Sequence, residues 1–347
     1  VNTRARCALG EVAGRLVEEG GLRDWGERGL VALATITDSS DAGARAAEAS
    51  ILSALGEVEA AIRSLEAAAA GAPADAEIQV QLAKAYDAAG RPLDAEAAFQ
   101  RAINLRPGYW EGHHGLGMHH HLAGQYVEAA NAFRAAIACA PLYYGNYTNL
   151  GMVYYLLDRH DAAQQMFERS FELKPDDNWV AVANLGTMYF DQARFDQAAE
   201  MYERAVQLNE GDYRAWGNLG HCYAVSAQPE RAEAPLRRAI ELGLVAIEGD
   251  PNNAATLADV AGYHSVLGHR SEGLELLERA VATEPTDPEV AARIGETYED
   301  LGDRENALRW VEVALRGDVP PSRFENRPSL RTLVNDERYR QLVREIG

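Results

Sequence analysis

The sequence predicts an all-α fold, a solenoid of tandem helical hairpins, and three periodic columns carry that prediction. Pro73, Pro107, Pro141 and Pro175 stand 34 residues apart. Small residues recur at Ala83, Gly117, Gly151, Gly186, Gly220, Ala261 and Gly295, in steps of 34, 34, 35, 34, 41 and 34. A third column reads Ala61, Ala95, Ala129, Ala163, Ala198, Ala232, Gly273 and Ala307. Each member is followed four residues later by a large side chain: Leu65, Phe99, Phe133, Phe167, Tyr202, Leu236, Leu277 and Val311. A fixed period of this length marks a repeat array in which each unit is one supersecondary element.

Residues 110–143 show how one unit is built. Apolar residues at helical spacing run through Leu116, Gly117 and His120, and again through Ala129, Phe133, Ala136 and Ile137. That spacing specifies two helices. Gly124 lies where the first helix must stop. Pro92 and Pro229 are expected to open second helices, where a missing N–H costs nothing. The small column lets the two backbones approach, and the large column fills the gap between them. One such hairpin cannot bury its own apolar face, so neighbours must stack.

The elements follow in order. Residues 1–41, with helical patterning around Leu9, Val12, Leu16, Leu30, Val31 and Leu33, are expected to form a capping hairpin or a degenerate repeat. Residues 42–318 divide into eight units: 42–75, 76–109, 110–143, 144–178, 179–212, 213–253, 254–287 and 288–318. The sixth is longer by seven residues, through Leu242–Asp250. Seven residues are about two helical turns, so its second helix can lengthen without turning its apolar face away. Pro320-Pro321 ends the array, and 319–347 is expected to form a C-terminal cap. The chain begins at Val1 rather than Met, which suggests that its native start is missing.

Leu-Gly, Tyr, Ala, Phe/Tyr, Ala and Pro at these offsets resemble the tetratricopeptide repeat family. The Tyr column reads Leu52, Tyr86, His120, Tyr154, Tyr189, Tyr223, His264 and Tyr298. The resemblance implies a right-handed superhelical solenoid whose concave face is lined by the first helix of each hairpin. The tail Pro328-Ser-Leu-Arg-Thr-Leu-Val-Asn-Asp336-Glu-Arg338-Tyr339-Arg-Gln-Leu342 resembles one that ends many bacterial proteins of this family. In those proteins the repeats often follow a signalling domain.

Composition narrows the function. The net charge is −20, and the Arg-rich stretch 316–347 carries seven Arg against five acids. No clustered cations are available for nucleic acid or for an anionic membrane surface. No run of 18 apolar residues suggests a membrane span. Only Lys84 and Lys174 are lysines, and Ala and Gly are abundant, which points to a GC-rich bacterial genome. Cys7, Cys139 and Cys222 are few, odd in number and far apart, which suits a reducing, cytoplasmic setting. No phosphate loop, nucleophile elbow or zinc-protease motif is present, so neither an enzyme nor a cofactor is expected. His113, His114, His119, His120 and His121 crowd one helix, but none are spaced i, i+4 for chelation, and no metal site is expected.

Concave columns are counted from the small residue at the centre of each first helix. Two positions before it stand Asn149, Asn184 and Asn218. Side-chain amides offer both donor and acceptor, so such rungs can pair with the backbone of an extended peptide. They resemble the asparagine ladder of the O-GlcNAc transferase family. One position after it come Met118, Met152, Thr187 and His221; four positions after it come His121, Tyr155 and Phe190. Grouped Met and aromatic side chains mark recognition surfaces. Asp87 on one side and Asp259, Glu296 and Glu299 on the other predict a peptide with basic flanks. His114, His121 and His221 on the same side suggest a pH-sensitive groove. The sequence thus predicts a non-catalytic interaction scaffold that holds an extended segment of a partner protein. Alternatives are a regulatory module of a bacterial signalling enzyme, a self-assembling scaffold (a homo-oligomer), and a helper for an envelope system.

Overall fold

A computed structural model describes residues 41–346 except 227, 318 and 326. The hairpin expected at 1–41 and Cys7 lie outside the described residues, Asp41 apart. Among the described residues the chain is helical, without strands. It divides into two compact units, the first ending at Leu173 and the second beginning at Lys174.

In the first unit four hairpins follow one another: α1 (Ala42–Ala54) with α2 (Val58–Gly71), α3 (Ala76–Ala88) with α4 (Pro92–Leu105), α5 (Trp110–Leu122) with α6 (Tyr126–Cys139), and α7 (Tyr144–Leu156) with α8 (His160–Leu173). In the second, four more do so: α9 (Trp179–Asp191) with α10 (Phe195–Leu208), α11 (Tyr213–Val225) with α12 (Glu233–Gly249), α13 (Ala254–Val266) with α14 (Arg270–Ala282), and α15 (Pro288–Asp300) with α16 (Arg304–Arg316). Short helices α17 (Ser322–Glu325), α18 (Arg331–Val334) and α19 (Glu337–Ile346) close the chain. Within each unit a second helix packs on the first helix of the next hairpin, and successive first helices touch.

The periodic columns explain this packing. A Cβ added to Gly117 would lie 2.8 Å from Phe133, and one on Gly151 would lie 2.7 Å from Phe167. Each small residue therefore receives the large side chain of its own hairpin. Those large residues, Phe99, Phe133, Phe167, Tyr202, Leu236 and Leu277, are fully buried. Most first helices open on side-chain caps, as where Asp75 Oδ1 accepts from the Glu77 N–H at 2.9 Å, whereas α5 and α7 follow Tyr109 and Tyr143 and have no such cap. They stop at a left-handed residue, Gly124 at φ 72° in α5.

One element departs from expectation, and the long sixth hairpin follows it. Pro229 does not begin a second α-helix; it opens a 3₁₀ turn, Pro229–Arg231, and α12 starts after it. The extra residues of the sixth hairpin lengthen α12 to Gly249, and the buried stripe Leu236, Ala239, Gly243 and Ile247 stays on one face. Gly243 admits α13 closely, since a Cβ there would lie 2.4 Å from Val260 Cγ2.

The tail packs on the last hairpins. Phe324, Leu330, Leu333 and Tyr339 are buried in one cluster with Leu257, Leu277, Ile294 and Val311. Asp336 accepts from the Arg338 side chain and backbone N–H and from Arg304, which hold its carboxyl down at about 2. Within the tail motif, Leu330, Leu333 and Tyr339 thus pack into the core and Asp336 caps α19.

Candidate peptide-binding faces

The first unit presents α5 and α7. His114, Met118 and His121 project from α5, and Asn149, Met152 and Tyr155 from α7; all are half-buried. The Asn149 amide donates to Met118 Sδ at 3.4 Å, so one rung of the expected ladder is joined to the apolar band. His114 Nδ1 lies 2.7 Å from Asn146 Oδ1, and its ring meets Trp110, Phe133 and Tyr143 edge-on. His121 and Tyr155 each lean over the start of their own second helix, toward Tyr126 and His160, with centroids 6.0 and 5.7 Å apart. Asp87 is engaged by His119 Nδ1 at 2.7 Å.

Sequence reasoning missed two features of this face. Leu122 and Leu156, one position beyond His121 and Tyr155, are exposed, Leu122 by 75 %. Counting one column further from Gly117 and Gly151 would have found them. The second feature is a set of buried polar atoms. Gln81 Oε1, Glu111 Oε2, His121 Nδ1 and Asn146 Nδ2 lack hydrogen-bond partners among the described residues, and all four belong to first helices of this unit. No sequence signal marks Asn146, whose side chain meets α5 only after packing.

The second unit presents α9, α11, α13 and α15. Asn184, Thr187 and Phe190 lie on α9, and Asn218 and His221 on α11, all half-buried. Thr187 Oγ1 and Asn218 Nδ2 converge on the Tyr202 hydroxyl at 2.8 and 3.2 Å. Both therefore serve a buried tyrosine, whose pKa burial drives far up. Phe190 stacks edge-on against Phe195 at 5.3 Å. The ladder is accordingly divided: Asn149 lies in the first unit, Asn184 and Asn218 in the second, and two of the three amides already have a partner.

Like Asp87, which meets His119, the other acids expected to meet a partner's basic flank are engaged within the chain, by its own arginines. Asp259 accepts from Arg293 at 2.9 Å and pairs with Arg214 at 3.4 Å. Glu299 pairs with Arg304, and Glu296 with Arg323 at 3.0 Å and Arg327 at 2.7 Å. The expectation of basic flanks drew on these carboxylates as open charges, which they are not. The expected pH sensor is displaced too. Burial lowers the pKa of His114 and His121, and burial with the nearby Arg327 charge takes His221 down to about 4. These shifts lead away from neutrality, because a desolvated imidazolium is disfavoured.

Cys222 is buried with its thiol pushed up to about 12, and Cys139 is half-buried. Burial thus keeps the Cys222 thiol protonated and unreactive. No helix among the described residues is long and apolar enough to cross a membrane.

Comparison with known families decides the assignment. Models described as tetratricopeptide repeat match residues 46–109 and 80–144, 142–211, and 189–244. The chain is a tetratricopeptide repeat protein. No curated protein matches it. Among solved structures, the tetratricopeptide array is similar to two crystal structures of MamA. The first is 25% identical with TM-score 0.43, covering 47% of this chain and 94% of that one. The second is 20% identical with TM-score 0.44, covering 50% and 95%. It is also similar to YrrB, described as "a TPR protein with an unusual peptide-binding site", at 20% identity and TM-score 0.43 over 56% of this chain and 97% of that one.

Proposed function

We propose that this tetratricopeptide protein is a non-catalytic scaffold that binds an extended segment of a partner protein, with the concave face of the first unit as a principal contact surface. One observation carries the reading. Equivalent positions on α5 and α7 present paired side chains left half-buried or exposed: Met118 and Met152, His121 and Tyr155, Leu122 and Leu156. Exposed apolar groups repeated in register form a strip that a bound chain would cover. Asn149 and the unsatisfied His121 Nδ1 are polar groups on the same two helices. On the second unit, Asn184, Thr187, Phe190, Asn218 and His221 occupy the corresponding columns.

The spacing limits what fits. Packed helices lie about 8–10 Å apart, so neighbouring first helices repeat their side chains at that interval. An extended or polyproline-type chain rises about 3.1 Å per residue, so every third residue would meet an equivalent position. A ligand with apolar residues three apart is therefore expected. The test is selection of peptides from a random library on the intact chain. Selected peptides should carry that three-residue spacing, and His121→Ala with Tyr155→Ala should weaken them at least tenfold while thermal unfolding stays cooperative. Undiminished affinity in a folded double variant would refute the reading.

A further inference from the structure

In the column one position after the central small residue, Lys84 is exposed and Met118, Met152, Thr187, His221 and Gly262 are half-buried. Glu296 breaks the series: it is only 5 % exposed, and so is its neighbour Thr297. The chain itself covers it. Residues 319–325 and 327–330 cross this face, and Arg323 sets its guanidinium between Glu296 at 3.0 Å and Glu289 at 3.2 Å. Arg327 reaches the other oxygen of Glu296 at 2.7 Å. The Asp191 charge at the end of α9 acts on Arg323, and Arg327 acts on His221 of α11. Phe324, between the two arginines, is fully buried.

The segment is held as a bound peptide would be held. Among the described residues its backbone hydrogen bonds are local, as in Arg323 N–H to Pro320 O, Phe324 N–H to Pro321 O and Arg327 N–H to Phe324 O. None of these reaches α15; the hold on that helix comes from side chains, the two guanidiniums, the buried Phe324 and Leu330, and a hydrogen bond between Ser329 and the Asp300 carboxyl. Pro320, Pro321 and Pro328 keep the stretch from joining a continuous helix.

We infer that residues 319–330 are an intramolecular occupant of the concave face of the second unit, and that a partner's arginine-bearing segment with an aromatic anchor gains that face by displacing them. This rests on the reading that first-helix faces bind extended segments. A buried carboxylate cannot be left bare without a large penalty, so the incoming segment must itself bring a guanidinium.

The experiment uses the full chain and a labelled synthetic peptide of residues 319–330. Arg323→Glu with Arg327→Glu sets like charges against Glu296. In that variant the amides of 322–327 should exchange with deuterium faster, while 331–346 exchange as before. The free peptide should bind it at least tenfold more tightly than it binds the unaltered chain, and a peptide with both arginines changed to Ala should gain nothing. Glu296→Gln is isosteric and guards against misfolding of the double variant. It should speed exchange at 322–327 and yet fail to take up the peptide. Persistent protection of 322–327 in both variants, or equal peptide affinity for released and unaltered chains, would overturn the proposal. Either failure leaves the first unit's face, tested through His121 and Tyr155, standing on its own result.

Discussion

At the scale of single residues, the turn inside each hairpin shows how local chemistry is fixed and where it is strained. Gly56, Gly90, Gly124, Gly268 and Gly302 all end first helices at positive φ, and the same position in the fourth and fifth hairpins holds Asp158 at 58° and Ala193 at 56°. A left-handed alanine costs roughly 1–2 kcal/mol relative to glycine's freedom there. Ala193→Gly should therefore raise stability by about 0.5–1 kcal/mol, read as a higher denaturant midpoint, despite glycine's greater unfolded-state entropy. His221 offers a second test. Its folded pKa, about 4, lies below the ordinary histidine value of about 6.5 because burial first, and Arg327 next, disfavour the imidazolium. The unfolded chain thus binds the proton more readily. Stability from this group is fully present above about pH 6.5 and is lost as pH falls toward 4. His221→Gln should flatten the difference in unfolding free energy between pH 7 and pH 4 by roughly 1–3 kcal/mol relative to the unaltered chain.

At the scale of elements, helix approach is set by which residue lacks a side chain. The α12 extension seats against α13 because Gly243 leaves room for Val260, at 2.4 Å from an added Cβ. Gly243→Ala should push these helices apart and lower stability by about 1–3 kcal/mol, as overpacking of a close contact does. A lower thermal midpoint, with helix content unchanged at 20 °C or so, is the reading that checks it. The small and large columns were legible in the sequence for the same reason: Gly151 and Phe167 lie in one hairpin, 16 residues apart, so their contact follows from the helix period. The 3₁₀ turn at Pro229 was not legible. Proline is compatible with the first turn of either helix type, and the choice falls to the packing around it.

At the scale of the whole molecule, the same columns meet different surroundings in the two units. In the first, Met118 and Met152 are half-buried and Leu122 and Leu156 exposed, and the library selection with His121→Ala and Tyr155→Ala tests whether a partner covers them. In the second, Glu296 lies under the chain's own Arg323 and Arg327, and the peptide competition tests that cover. Residue type alone marked out the candidate positions, since a concave column can be counted from Gly117 or Gly186. It could not say which members were already bonded. Asn218, a rung of the expected ladder, and Thr187 of the neighbouring column are both bonded to the Tyr202 hydroxyl.

By itself the sequence determined the helical hairpins, their small-against-large packing, their family and the columns that line the first helices. Those properties depend on contacts within about one repeat, and periodicity records such contacts directly. Only the tertiary structure decided what faces those columns. Arg323 and Glu296 are 27 residues apart on elements of different kind, outside the repeat period, and Asn146 meets His114 across two hairpins. Whether a charged or polar side chain is open or engaged depends on which distant segment folds over it. No spacing within the repeat encodes that pairing.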